Sequence, residues 1–134
     1  MSVFQSPNFL RNVMLADAAS CLACGALQVA APQALSQWMH LPSALLAGTG
    51  AFLLLYAAVA VFVGTRRPVP RALVGVFAAG NFGWAIACVA LLAAGGLAPG
   101  ALGIAYVLVQ AATVVVLAEL QWMGIKRAPQ PGRA

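Results

Sequence analysis

The sequence predicts an all-α membrane protein, a polytopic bundle of four transmembrane helices. Only 7% of the 134 residues are charged and 63% are hydrophobic, whereas an ordinary soluble domain has roughly 25% charged residues. The apolar residues form four runs, each close to the ~20 residues with which a helix crosses the hydrocarbon core of a bilayer. The basic residues are confined to short clusters at the ends of pairs of these runs. The lipid bilayer is therefore the first predicted partner.

The four predicted spans take up most of the chain and leave no room for a second domain. They cover about residues 13–31, 44–64, 72–94 and 101–123. Pro42 and Pro99 lie just before the second and fourth spans, where a missing backbone N–H costs little. We predict one domain over residues 1–134, a short turn or helix over 32–41 at the membrane surface, and a short cytoplasmic tail over 124–134.

The distribution of basic residues predicts the orientation of the spans. Two of the connections, residues 32–43 and 95–100, carry no charged residue. The basic residues lie instead before the first span, between the second and third, and after the fourth: Arg11; Arg66, Arg67 and Arg71; Lys126, Arg127 and Arg133. By the positive-inside bias, both termini and the middle loop are predicted to be cytoplasmic, in a bacterial-type inner (plasma) membrane. Because topology and anionic headgroups explain the net charge of +5, no nucleic-acid partner is predicted.

The two halves of the sequence resemble each other. With Asp17 placed over Asn81, the first and third spans match at several positions, including Cys24 with Cys88. The segments 62–67 and 122–127 likewise share an aromatic residue, a glycine and a basic pair. This pattern favours two tandem helical hairpins related by a parallel repeat. Shared membrane composition is the alternative explanation for the same matches.

Two carboxylates provide the strongest functional signal. Asp17 and Glu119 are the only acidic residues, and both fall inside predicted spans. At a rise of ~1.5 Å per residue, each lies ~9 to 11 Å from its basic cluster on the same side. A charged side chain at such a depth costs about 2.5–3.5 kcal/mol, so it usually faces the protein interior. With Asn81 as a third member, they predict an intramembrane site that binds or transports a proton, a cation or a small amphipathic molecule.

Helical spacing adds further candidates to this site. On the third span, Asn81, Trp84 and Cys88 share one face. We expect that face to meet a stripe on the first span formed by Met14, Asp17, Cys21, Cys24 and Gln28. On the fourth span Gln110 belongs to a polar stripe with Thr113 and Gln121. The candidate ligand-binding residues are therefore Asp17, Asn81, Glu119, Trp84 and Gln110. A structural role is the alternative, with Asp17 joining helices through Asn81 and Glu119 extending toward the basic end.

Cysteine chemistry is a third alternative. Cys21 and Cys24 form a C-x-x-C pair, but they lie inside a span and have no second pair with which to exchange. Buried cysteine usually packs as a small apolar residue. No metal site is predicted, and Cys21, Cys24, Cys88 and Met14 are only weak candidates for a soft metal such as Cu(I).

Catalytic signatures are not visible in the sequence. His40 is the only histidine, so neither bis-His haem ligation nor a Ser-His-Asp arrangement is supported. We predict no enzyme activity and no cofactor. Because four helices enclose little volume, a homodimer is expected if the protein transports a molecule. An accessory protein that assembles with another membrane protein is the alternative function.

Three short motifs carry a resemblance to known proteins. They are Leu15-Ala16-Asp17-Ala18, Gly80-Asn81 followed by Trp84, and Ala118-Glu119-Leu120-Gln121 before a basic stop. Together they resemble small uncharacterised bacterial four-span integral membrane proteins. The resemblance covers most of the chain and implies an inner-membrane protein without an assigned reaction.

Overall fold

The fold is a bundle of long apolar helices. A computed structural model describes residues 8–127, and these residues form helices and no strand. The helices are α1 (Phe9–Ala30), α2 (Pro32–Met39), α3 (Ser43–Gly64), α4 (Arg71–Ala93) and α5 (Ala101–Arg127). All except α2 are long and apolar enough to cross a membrane. The predicted all-α four-helix bundle is confirmed, and the chain has the character of a multi-pass membrane protein.

Helix α5 is longer than the span predicted for it. The sequence predicts a span that ends at about residue 123, and the helix continues to Arg127. Gly124 is buried in the side chains of Phe9 and Leu10, and the carbonyl of Ile125 accepts a hydrogen bond from Arg71 Nη1 at 2.7 Å. These contacts with α1 and α4 keep the extra turn helical. The rest of the predicted tail, including Arg133, lies outside the described residues.

The short helix α2 closes one end of the bundle. Pro32 occupies its first turn, where a missing N–H is tolerated, and His40 ends it in the left-handed conformation with φ of 56°. Leu35 and Met39 are buried beneath the helix, whereas Trp38 is 63% exposed. The short helix predicted within residues 32–41 is therefore confirmed, with one apolar face on the bundle and the other turned outward.

The basic residues gather at the opposite end. The spanning helices alternate in direction, so α1 and α4 begin where α3 and α5 end. Direct contacts confirm this arrangement: Gly64 lies beside Met14, and Arg71 bonds to the carbonyl of Ile125. The described basic residues are Arg11, Arg66, Arg67, Arg71, Lys126 and Arg127, and they share this end.

The bundle is built from two hairpins. Helix α1 packs along α3 and α4 packs along α5, whereas α3 and α4 meet only sparsely. The first hairpin is especially tight at Gly25 and Gly50. A methyl group added to Gly25 would lie 2.8 Å from the carbonyl oxygen of Gly50, which is closer than real Cβ atoms approach. Small residues at this crossing let the two backbones touch.

The buried faces of the two hairpins follow the same order. When Asp17 is placed over Asn81, the buried residues of α4 other than Cys88 correspond to buried residues of α1: Leu10, Val13, Met14, Asp17 and Cys21 with Val74, Phe77, Ala78, Asn81 and Ala85. For α3 and α5 the best match places Ala60 over Gln121, one residue away from the alignment predicted from the basic ends. These correspondences are those expected of tandem hairpins related by a parallel repeat.

Candidate functional site

A polar network lies at the centre of the bundle, toward its basic end. Asp17 comes from α1, Asn81 from α4 and Gln121 from α5. The amide nitrogens of Asn81 and Gln121 donate to the same carboxylate oxygen of Asp17, at 2.9 and 2.7 Å. Asn81 also donates to the side-chain oxygen of Gln121 at 3.0 Å. The predicted contact between Asp17 and Asn81 is therefore present.

Neighbouring side chains complete this network. Cys21 donates to the second oxygen of Asp17 at 3.6 Å, and Gln121 donates to the sulfur of Met14 at 3.5 Å. Tyr56, from α3, lies 3.4 Å from the side-chain oxygen of Asn81, to which its hydroxyl can donate. All four spanning helices thus contribute. We call Asp17, Asn81, Gln121 and Tyr56 the inner network.

The acid and the two amides of the inner network are buried and hydrogen-bonded. Asp17 and Gln121 are 0% exposed and Asn81 is 3% exposed. Within residues 8–127, no buried side-chain nitrogen or oxygen lacks a hydrogen-bond partner. An unpaired polar group in an apolar surrounding costs several kcal/mol, so these amides hold the carboxylate and one another in place. In this arrangement Asp17 joins helices and does not face open space.

Glu119 does not belong to the inner network, so the prediction that both acids share one site is corrected. Glu119 lies on the exposed face of α5, beside the exposed Trp122. Gln121 occupies the position in the network that the sequence predicts for Glu119. The two residues are two positions apart on α5, and two residues of helix turn a side chain through about 200°. The earlier signal for Gln121 was its polar stripe with Gln110. What the sequence lacked was the direction in which that stripe faces.

A second polar group lies nearer the α2 end. Trp84 Nε1 donates to Gln110 Oε1 at 2.8 Å, so these two predicted candidates meet each other but not Asp17. The hydroxyl of Tyr106 donates to Gln28 Oε1, and Gln28 Nε2 donates to Thr49 Oγ1 at 2.8 Å. Within the described part of the chain, the two pairs are connected by a 3.5 Å contact from Gln110 Nε2 to the hydroxyl of Tyr106. We call Trp84, Gln110, Tyr106 and Gln28 the outer network.

The weak metal candidates are divided between these two networks. Met14 and Cys21 contact members of the inner network, whereas Cys88 lies 3.8 Å from Gln110 in the outer one. All three cysteines are free thiols. Among the described residues, no three His, Cys, Asp or Glu side chains come together as metal ligands. Packing and weak S–H hydrogen bonds account for the contacts of Cys21 and Cys88.

A cavity of about 190 Å³ lies between the two networks and touches all four spanning helices. Its walls are mainly apolar, and Phe52 stacks on Trp84 with ring centroids 5.8 Å apart. Asn81, Tyr56 and Gln110 supply polar atoms to the lining. Exposed residues of both hairpins are part of the cavity lining: Phe52 of the first, and Gly80, Val109 and Thr113 of the second. We call it the inner cavity.

A second cavity of about 210 Å³ lies toward the α2 end. Its lining includes four leucines, Leu41, Leu45, Leu46 and Leu91, together with Gln28, Thr49 and Ala87. Trp84, Gln110 and Tyr106 line both cavities, so three members of the outer network form the wall between them. We call this second space the outer cavity.

Comparison with known proteins adds no family to this description. No family model matches the chain, and neither a curated protein nor a solved structure is significantly similar to it.

The chemical character of the inner cavity follows from its lining. None of its lining residues is Asp, Glu, Lys, Arg or His, and the Asp17 carboxylate is covered by its amide partners. An ion in the cavity would therefore meet no opposite charge, and burying an unpaired ion is costly. An apolar cavity of about 150 Å³ is large enough to hold benzene. The inner cavity can accommodate a small uncharged molecule with an apolar body and one polar group.

Proposed function

We propose that the protein binds a small uncharged amphipathic molecule in the inner cavity, entering from the surrounding lipid. The observation that supports this proposal is an apolar cavity with a few polar groups at its ends, reaching the surface between the two hairpins. Concave sites with apolar walls and a few placed polar groups are the usual form of a small-molecule site. Of the ligands predicted from sequence, the uncharged cavity lining favours the amphipathic molecule over a proton or a cation.

Binding is favoured over transport. The inner network occupies the centre of the bundle on the basic side of the inner cavity, and its acid and amides are buried and hydrogen-bonded to each other. A molecule that crossed the membrane through the bundle would have to separate these groups. Occupancy of the cavity requires no such separation.

The binding proposal is tested by filling the cavity. Gly80 lines the inner cavity. A methyl carbon added to Gly80 would have free space, because the nearest atom, the hydroxyl oxygen of Tyr56, would lie 3.8 Å away. In a variant with Trp38→Phe and Trp122→Phe, Trp84 is the single tryptophan and reports on the cavity. We expect terminally brominated hexanol to quench its fluorescence saturably in bilayer nanodiscs. Gly80→Phe should weaken the apparent affinity at least ~10-fold, or ~1.4 kcal/mol.

The matched control lies on the same helix. Gly83 is exposed, does not line the cavity and has nothing within 4 Å of an added methyl group. Gly83→Phe should therefore leave the quenching curve unchanged, and unbrominated hexanol should compete with the probe. Quenching that rises linearly with probe content, or that is equal in both variants, would show only contact from the lipid phase and would contradict the proposal.

A second candidate function is that of an accessory protein for another membrane protein. The paired inner network favours it, because Asp17 then has a purely structural role. Exposed Glu119 on α5 would meet a polar group of the partner. This alternative expects tight co-purification with a membrane protein and no saturable quenching by brominated hexanol.

For the location, we propose a bacterial-type inner membrane with both termini and the loop of residues 65–70 in the cytoplasm. The basic residues at one end of the bundle support this orientation. Single cysteines placed at Arg66 and at Gly96, in a variant without Cys21, Cys24 and Cys88, should differ in labelling by a membrane-impermeant maleimide. We expect labelling of intact cells at position 96 and not at 66. The reverse pattern would invert the proposed topology.

A further inference from the structure

The wall between the inner and outer cavities contains two hydrogen-bonded pairs that are joined to each other only weakly. On one side, Trp84 is held to Gln110 at 2.8 Å, and on the other Tyr106 is held to Gln28. Among residues 8–127, the hydrogen bond that joins the two pairs is the 3.5 Å contact from Gln110 to Tyr106, which is at the long limit for a hydrogen bond. Separating the pairs therefore breaks one weak bond and leaves two strong ones intact.

We propose that the two cavities are halves of one elongated site for a single alkyl chain with an uncharged hydroxyl-bearing head. The proposal rests on the proposed function and deepens it by naming the ligand class. Asn81 lines the inner cavity and Leu91 the outer one, and ten residues of helix separate them, or ~15 Å. A joined site of this length suits a long single chain better than a compact ring.

The polar groups decide which end of the ligand lies where. At the outer cavity, the Nε2 group of Gln28 already donates two hydrogen bonds, to the Leu46 carbonyl at 2.9 Å and to Thr49 at 2.8 Å. The carbonyl oxygen of Gln28 and the hydroxyl oxygen of Tyr106 each keep a lone pair, because an oxygen of either kind can accept two bonds. Gln110 lines the same cavity, and its Nε2, which makes the long 3.5 Å contact with Tyr106, can donate more strongly to a ligand. The outer end therefore offers both acceptors and a donor, and a hydroxyl head can pair with both.

The tail occupies the inner cavity. Its lining is mainly apolar, with Phe52, Leu53, Val109 and Val114 among the residues present. This placement also fits the bilayer. The outer cavity is lined by Leu41, just before α3, and by Leu45 in the first turn of α3, so it lies near one membrane surface, and the inner cavity lies deeper. A chain with its head at that surface and its tail toward the centre has the orientation of a lipid in the adjacent leaflet.

Chain length tests whether the cavities act as one site. Ala87 lines the outer cavity only, and Ala90 is an exposed residue of the same helix that lines neither cavity. In the protein with Trp84 as its single tryptophan, terminally brominated hexanol and tetradecanol are titrated in nanodiscs. We expect Ala87→Phe to weaken tetradecanol binding at least ~10-fold and to change hexanol binding less than twofold. Ala90→Phe should change neither.

The outcomes separate the two proposals. If both alcohols bind saturably but Ala87→Phe weakens neither, the inner cavity binds alone and the joined site is wrong. If Ala87→Phe weakens hexanol as strongly as tetradecanol, the effect does not depend on chain length, so the outer cavity binds the short probe alone and the joined site is wrong. If neither alcohol binds saturably, the proposed function itself fails. Folding of each variant is checked by its circular dichroism and elution volume.

Discussion

Replacing Asn81 by leucine is expected to lower the free energy of unfolding by about 2–3 kcal/mol. Asn81 makes side-chain hydrogen bonds with Asp17, Gln121 and Tyr56. Interhelical hydrogen bonds in membrane proteins average about 0.6 kcal/mol, and a buried carboxylate deprived of a donor adds a desolvation cost. Reversible unfolding in mixed detergent micelles, followed by helical circular dichroism, measures this loss.

Replacing Asp17, Asn81 and Gln121 together should restore most of the stability that Asn81→Leu loses. When every partner becomes apolar, no polar group is left unpaired, and such replacements are often nearly neutral. The triple variant Asp17→Leu, Asn81→Leu, Gln121→Leu should therefore lie within about 1 kcal/mol of the parent protein. A triple variant as unstable as the sum of its three single variants would show that packing volume, not hydrogen-bond pairing, determines stability here.

Glu119 provides the matched control for the buried acid. It is exposed on α5, whereas Asp17 is fully buried. Glu119→Gln should change the free energy of unfolding by less than about 0.5 kcal/mol, as expected for a surface substitution. A loss similar to that of Asn81→Leu would mean that Glu119 has a structural partner in the folded protein.

Replacing Gly25 by leucine is expected to cost about 3 kcal/mol or more, the upper end for overpacked cores. The methyl carbon alone would lie 2.8 Å from the carbonyl oxygen of Gly50 and 3.1 Å from Leu53 and Leu54. Because the nearest obstacle is backbone, a rotamer change cannot relieve the clash, and α1 and α3 must separate. The same micelle-based unfolding experiment measures the cost.

Gly48→Leu is the control for the glycine contact. Gly48 also lies in a spanning helix, but an added methyl group there would have nothing within 4 Å. Leucine has the higher helix propensity, so this variant should be equally stable or more stable by up to about 1 kcal/mol. Equal stability of the Gly25 and Gly48 variants would show that backbone contact does not set the spacing of the first hairpin.

Much of the fold was predictable because lipid imposes simple rules. Length, hydropathy and charge position were enough to place four spans, since a helix is the simplest way to satisfy backbone hydrogen bonds in hydrocarbon. The continuation of α5 beyond the predicted span is not readable from hydropathy. Its last turn depends on the contact of Gly124 with Phe9 and Leu10, which is a tertiary contact between the two ends of the chain.

The candidate site was only partly predictable. Asp17 and Asn81 were paired correctly because each is a polar residue at similar depth on a helix with one clear polar face. On α5 the polar residues point in several directions, so the sequence favoured the charged Glu119 over the neutral Gln121. Tyr56 and Tyr106 carried no separate signal, because aromatic residues in a span also serve as packing groups. The cavities depend on how the two hairpins meet, which no single helix encodes.

The uneven packing of the four spans has a consequence for biogenesis. Each hairpin has an extensive internal contact, whereas α3 and α4 touch sparsely across the middle of the chain. Each pair can therefore form as soon as its second span is inserted, in the manner of two-stage assembly of membrane helices. Docking of the preformed pairs then relies on buried amides meeting one carboxylate. Docking therefore sets the register of one hairpin against the other, and the polar contacts are the last to form during assembly.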